Sequence, residues 1–280
     1  MTTAKALAKN GYRVIVHGRD PDRIKAACAQ VRAESGFGFA SAVPAMADLS
    51  SLKGCQTLIS AVTTACLAKS TQLDLIINNA GVFSDGMGRK VVGELELEET
   101  FAVNVLAPFV LTSQLLPLLT AKDGSRIIIV SSISQSNDIG DWDDLQFEKR
   151  SYSAHRAYSE SKLLDAMLTM EMAERLSNAG FLSNRVTVNT LDPGTVNTKM
   201  LLAGWGPCGI EVERALDQTW LATSDDVSGE TGKYYVGRQM RRASSAAYDL
   251  KKRQKLWSIL SNMSPSSASQ WTDLSPEKFL

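Results

Sequence analysis

The chain has 280 residues with a hydrophobic fraction of 44%, enough to bury the core of one α/β domain. Its 30 Lys and Arg balance 30 Asp and Glu, which removes any global electrostatic case for nucleic acid or an acidic membrane surface. The four cysteines have no C-x-x-C spacing and no His partners nearby, which argues against a metal site and a disulfide framework and fits a reduced compartment.

From the N-terminus, residues 2–10 read as a helix ended by Gly11, and residues 12–17 as a β-branched strand. Residues 21–34 follow as a helix, with Asp20 as N-cap and Pro21 at its first position. A weak strand is predicted over 37–43, a helix over 52–68 and an apolar strand over 73–77. Residues 95–119 carry one long helix or two shorter ones. The run Arg126-Ile127-Ile128-Ile129-Val130 is the most buried-looking strand. A long helix over 154–177, a strand over 185–191 and a late strand over 233–236 complete the pattern.

Near-continuous apolar strands alternating with helices predict an α/β fold, a doubly wound parallel sheet of Rossmann-like type in a single domain over 1–263. Residues 264–280 are expected to form a C-terminal tail, loose in its Ser-rich part. Arg241, Arg242, Lys251, Lys252 and Arg253 read as a solvated face. No run reads as a transmembrane segment, and Met1-Thr2-Thr3-Ala4-Lys5 lacks the apolar core of a secretory signal. The expected location is cytoplasmic.

Ligand crevices of doubly wound sheets lie at the carboxyl ends of the strands. His17-Gly18-Arg19-Asp20, Asn78-Asn79-Ala80-Gly81, Ser131-Ser132 and Asp192-Pro193-Gly194 all stand at such ends and are expected to face one cleft. Tyr158 and Lys162 are four apart, so a helix puts them on one face. An ammonium beside a phenol favours the phenolate and is expected to lower the Tyr158 pKa, suiting it to exchange a proton with a carbonyl oxygen. Alone, Y-x-x-x-K is usually a surface pair. Ser132, which could donate to the same substrate oxygen, changes that weighing.

With these pieces in order, the chain resembles the short-chain dehydrogenase/reductase family over about residues 3–235. Asp48-Leu49 resembles the pair that meets the adenine, and Asn79, Ala80 and Gly81 match the N-N-A-G stretch beside the cofactor. Asn104, Ser132, Tyr158 and Lys162 match the catalytic Asn, Ser, Tyr and Lys. Pro193, Gly194, Thr195 and Thr198 match the P-G-x-x-x-T turn near the nicotinamide, while Asp192 stands where the family often has His or Asn. The insert with Trp142, Leu145 and Phe147, and the stretch from Tyr152 to Tyr158, resemble the retinol-dehydrogenase-like branch.

The resemblance implies hydride transfer between a nicotinamide cofactor and a carbonyl or alcohol. In reduction Tyr158 donates the proton, Lys162 lowers its pKa and holds the ribose, Ser132 steadies the substrate oxygen, and Asn104 supports a water relay to Lys162. Tyr158 and Lys162 thereby also belong to the cofactor-binding set. Arg19, just past the second strand of the family pattern, can pair with a 2′-phosphate, so NADP(H) is expected in preference to NAD(H). The substrate is expected to be a small or lipophilic molecule. Leu201, Leu202 and Trp205 in residues 199–210 fit an apolar substrate lid and fit packing against the domain equally well. A homo-oligomer is left open.

The resemblance aligns Met1 with the end of the family's Gly-rich loop. The first strand and T-G-x-x-x-G-x-G loop are therefore expected to be lacking, with the strands at 12–17 and 73–77 left without a neighbour between them. The alternative expectation is a truncated or inactive homologue with impaired cofactor binding, acting if at all as an interaction protein.

Overall fold

A computed structural model describes residues 1–35, 41–84, 88–120, 123–181, 185–272 and 274. The chain opens on α1 (Thr2–Lys9), β1 (Val14–Gly18), α2 (Pro21–Ser35), β2 (Ala42–Met46), α3 (Leu52–Leu67) and β3 (Leu75–Asn78). A short hairpin, β4 (Val91–Val92) and β5 (Leu97–Glu98), leads into α4 (Glu99–Phe101), a π-helical turn (Ala102–Leu106) and α5 (Ala107–Thr120). Then come β6 (Ser125–Val130), α6 (Ala154–Asn178), β7 (Val186–Asp192), α7 (Lys199–Gly204) and α8 (Asp217–Thr223). The chain closes with β8 (Tyr234–Val236), β9 (Gln239–Arg241), α9 (Leu250–Met263) and α10 (Pro265–Ser269).

Side chains alternate across a strand, and β6 uses this to serve two cores. Ile127 and Ile129 join the cluster built by α3, α5, α6 and α9, while Ile128 faces Leu7 of α1 and Leu221 of α8 on the other side. All three are buried, each contributing about 1.5–3 kcal/mol by leaving water. Helices thus cover both faces, as expected for a doubly wound fold.

The strands form two parallel groups. β1 pairs with β2, and a five-stranded sheet runs β3-β6-β7-β8-β9. Only β8 and β9 are antiparallel in the larger sheet. The facing edges of β1 and β3 line one cleft.

Helix starts follow their capping residues. Asp20 Oδ1 accepts from Arg23 N at 2.9 Å beside Pro21, and Ser51 Oγ accepts from Gly54 N at 3.0 Å. The predicted strand over 37–43 begins in residues outside the described set; the strand itself is Ala42–Met46. The helical stretch predicted over 95–119, as one helix or two, starts at Glu99 and is interrupted by the π-helical turn that carries Asn104.

Two expectations are corrected, and a third, on membrane spans, meets one helix. The stretch Glu99–Leu119 is long and apolar enough to cross a membrane by length and composition, with mean hydropathy 1.7, although 83% of that window is buried in the fold. The Ser-rich segment is docked, not loose. It forms α10, and Trp271 beyond it donates from Nε1 to Ser113 Oγ at 2.7 Å and packs edge-on against Trp257. Packing therefore continues past residue 263. The basic residues near the C-terminus do not share one solvated face. Arg253 is buried and pairs with Glu174, and Arg242 lies over the Tyr248 ring.

Candidate active site

The carboxyl ends of β1, β3, β6 and β7 open on a cleft of about 1750 Å³. An ordinary small-molecule pocket holds about 300–1,000 Å³. The excess arises because the cleft continues between the edges of β1 and β3. Arg19, Leu49, Asn79, Ala80 and Gly81 line it from the first half of the fold. Ser132, Tyr158, Lys162, Pro193, Gly194, Thr195 and Thr198 line it from the second. The four strand-end segments therefore meet, as expected.

Tyr158 and Lys162 sit on one face of α6, where Ser153 caps the helix through Arg156 N. The insert braces this helix. Asp144 accepts from the N–H groups of Glu148, Lys149 and Arg150, and the Arg150 guanidinium makes a double hydrogen bond to Glu160 at 2.8 and 2.6 Å. Glu160 lies two residues from both Tyr158 and Lys162, so the insert fixes the rotation of the helix that presents them.

Ser132 lies beside Tyr158 and Asp192 and lowers the pKa of both; its Oγ accepts from Ser134 N at 3.1 Å. Asp192 is buried, its two oxygens accepting from Ile133 N at 2.8 Å and Gly194 N at 2.9 Å. Burial raises its pKa, and those N–H groups pull the other way. The departure from His or Asn at this position thus puts a carboxylate against the serine.

The Tyr158 pKa differs from expectation. Burial of the phenol pushes it above the ordinary tyrosine value; Lys162 and Ser132 pull it down, and Asp165 and Asp192 push it up. Lys162 does exert the expected pull, but desolvation outweighs it. The Lys162 ammonium lies 5.7 Å from the Tyr158 ring centroid and donates to Val130 O and Asp165 Oδ2, both at 2.8 Å. Burial opposes its charge, yet Asp165 and Tyr158 hold its pKa above the usual lysine range. Burial pushes Asp165 up to about 6 against the pull of Lys162.

Two predicted site residues lie outside the cleft lining. Asp48 is exposed, and its Oδ1 accepts from Ser50 N at 3.1 Å, closing the turn before α3. Only Leu49 of that pair lines the cleft. Asn104 is buried behind Gly81. Its Oδ1 accepts from Val82 N at 2.8 Å and its Nδ2 donates to Val82 O at 3.1 Å and Ser161 Oγ at 3.0 Å. The side chain thereby pins the loop after N-N-A-G. A π-helical turn is a frequent device at functional sites and carries Asn104 here.

The remaining residues hold backbone shape. Asn79 Oδ1 accepts from Gln218 Nε2 at 2.8 Å. Thr198 caps α7 through Leu201 N, and Gly194 adopts φ +80°, a left-handed conformation suited to glycine. Within residues 199–210, Leu201 and Trp205 line the cleft, and both Trp205 and Leu202 are exposed. Trp205 stands near Phe83, His155 and Tyr158 with ring centroids 4.9, 5.0 and 5.5 Å away. Sequence reading named Trp205 but missed its grouping with Phe83 and His155, and missed Asp165. Two spacings on α6 were available as signals: His155 is three residues before Tyr158, and Asp165 three after Lys162.

These residues also suit a nicotinamide dinucleotide. The donor set is mixed: a phenol, a hydroxyl and an ammonium converge at one end of the cleft, and a guanidinium stands at the rim past β1. Lys162, which lines the cleft, has one N–H left after its two bonds, a donor that would suit a ribose hydroxyl.

A doubly wound sheet with such a crevice at its strand ends defines a nucleotide-binding α/β protein. The chain belongs to the short chain dehydrogenase family, whose profile matches residues 1–203. It is an NAD(P)-dependent oxidoreductase acting on alcohol and carbonyl groups. It is similar to human retinol dehydrogenase 14, at 34% identity over 92% of this chain and 80% of that protein. It is also similar to human retinol dehydrogenase 13, at 30% identity over 91% and 78%. Among solved structures, an uncharacterized Mycobacterium paratuberculosis protein superposes with a TM-score of 0.70 at 26% identity, covering 93% of this chain and 87% of that one.

Proposed function

We propose that the chain interconverts a lipophilic carbonyl and its alcohol using NADP(H), with Tyr158 as the proton-transfer group. The observation that carries the reading is the meeting of the Ser132 hydroxyl, the Tyr158 phenol and the Lys162 ammonium in one cleft, with Lys162 on the same helix face as Tyr158. The nicotinamide, when bound, supplies a hydride to the carbonyl carbon or accepts one from the alcohol. In reduction Tyr158 gives its proton to the substrate oxygen, and in oxidation it takes the proton back. Ser132 donates to that oxygen and orients it. Lys162 holds a ribose hydroxyl and stabilises the phenolate left after transfer. Asn104 keeps the Val82 backbone, and with it Gly81, in place beside the cofactor.

Two features support the finer choices. Arg19 stands at the cleft rim past β1, where a guanidinium suits the 2′-phosphate of NADP(H). Phe83, His155 and Trp205 beside Tyr158 favour an apolar substrate, consistent with the similar relatives being named retinol dehydrogenases. The test is NADPH-dependent reduction of retinal and of shorter apolar aldehydes and ketones. Turnover in the wild type, and its loss by about 10²–10⁴-fold in Tyr158→Phe with cofactor binding kept, is expected. Undiminished turnover in Tyr158→Phe would assign the proton to another group.

A further inference from the structure

Asp165 lies one turn beyond Lys162 on α6, and both side chains are almost wholly out of water, at 1% and 4% exposure. Their Nζ–Oδ2 distance is 2.8 Å, and the other ammonium contact is the Val130 carbonyl from β6. The second carboxylate oxygen of Asp165 has no hydrogen-bond partner among the described residues. A buried carboxylate with an unused oxygen is poor packing material; an apolar side chain of that size is ordinarily as stabilising or more so. The carboxylate is therefore poorly explained by packing.

Its electrostatic setting gives it a use. Among the described residues, the charged or titratable groups bearing on Lys162 are Asp165 and Tyr158, both on α6; β6 adds only a neutral carbonyl. The groups bearing on Tyr158 are Lys162 and Asp165 from its own helix and Asp192 from β7. Without Asp165, a fully desolvated ammonium would keep no carboxylate partner, and buried lysines in that condition shed their proton.

We infer that Asp165 is a positioning residue, the resident counter-charge that keeps Lys162 protonated and directed along α6 toward the site. This rests on the proposed role of Tyr158 and Lys162. It assigns Asp165 no contact with substrate or cofactor. The carboxylate acts through Lys162 by holding one of its three N–H groups and leaving one for the cofactor side.

The test is the pH profile of kcat/KM for NADPH-dependent reduction, compared between the wild type, Asp165→Asn and Asp165→Glu. In Asp165→Asn the alkaline limb, which Lys162 and Tyr158 set together, is expected to move to lower pH by about 1–3 units, because Lys162 then loses its proton earlier and Tyr158 loses the upward push of Asp165. Asp165→Glu keeps the charge and is expected to restore the limb toward the wild-type position. A purely structural role would lower activity and melting temperature together at every pH and leave the limb where it was. That result overturns the inference. Tyr158→Phe assayed alongside separates the two proposals. If it keeps full turnover, the function reading fails; if it is silenced while Asp165→Asn keeps the wild-type limb, only the Asp165 inference fails. A measurement on the unaltered chain covers the case of a variant that does not fold. The ¹⁵N resonance of the Lys162 ammonium, assigned by its loss in Lys162→Arg, is expected to stay in its protonated position to about pH 10 or above. Deprotonation below about pH 8 would contradict the assigned role regardless of catalysis.

Discussion

The Trp205 ring stands edge-on to the Tyr158 ring, with centroids 5.5 Å apart and planes inclined at 63°. Trp205 follows α7, the segment after the Pro193-Gly194 turn, so that segment and the proposed proton donor meet directly. Edge-to-face aromatic pairs add about 0.5–1.5 kcal/mol each beyond area burial, and Trp205 makes further contacts with Phe83 and His155. Trp205→Ala is expected to lower kcat/KM for a long apolar carbonyl by about 10- to 100-fold. A two- or three-carbon carbonyl should be affected far less. Steady-state kinetics on both substrates checks this, and equal losses would remove Trp205 from substrate recognition.

Arg19 is exposed at the cleft rim, one residue past β1. Arg19→Asp replaces a guanidinium that suits a 2′-phosphate with a carboxylate that repels it and can accept from a ribose 2′-hydroxyl. NADPH binding is expected to weaken by about 100-fold or more, at least the ~2–3 kcal/mol of a charge-assisted pair, with NADH binding held or improved. Fluorescence titration with both cofactors reads the ratio. A parallel loss for the two would place the 2′-phosphate elsewhere.

The pH dependence follows from the direction of the Tyr158 shift. Burial, with Asp165 and Asp192, outweighs the pull of Lys162 and Ser132, so the phenol keeps its proton through the neutral range. Reduction needs the protonated phenol and should hold its kcat/KM across neutral pH, falling only in the alkaline range. Oxidation needs the phenolate and should rise about tenfold per pH unit until that same limb. Rate profiles in both directions test the pairing. An oxidation profile that levels off below about pH 8 would mean the proton acceptor has a lower pKa than Tyr158.

Trp271 anchors the segment after α9. It is buried, packs against Trp257 at 5.2 Å and donates to Ser113 Oγ on α5. Trp271→Ala is expected to cost about 3–5 kcal/mol and Trp271→Phe, which removes the hydrogen bond and trims the ring, less. Urea unfolding followed by tryptophan fluorescence gives both values. A midpoint unchanged in Trp271→Ala would mean that this segment adds nothing to the folded domain.

Much of the frame is written locally. Ile127, Ile128 and Ile129 announce a strand covered on both faces because a continuous apolar run can be buried only that way. Asp20-Pro21 marks a helix start, and the spacing of Tyr158 and Lys162 puts both on one helix face by 3.6-residue geometry alone. The small and polar strand ends forecast a shared cleft because a doubly wound sheet brings carboxyl ends together. What those signals leave out depends on neighbours distant in sequence and on burial. The net push on Tyr158 combines desolvation with Asp192, from β7, and no local pattern carries that sum. Asp48 and Asn104 match the family pattern, and the contacts their side chains make, with Ser50 N and with the Val82 amide and carbonyl, come from the folded backbone beside them. The Ser-rich stretch before Trp271 looked loose because its composition is polar; it is held through Trp271, which meets the Trp257 ring and Ser113, both from elements earlier in the chain. Local geometry decided which residues share a face, and tertiary packing decided which charges and rings they meet there.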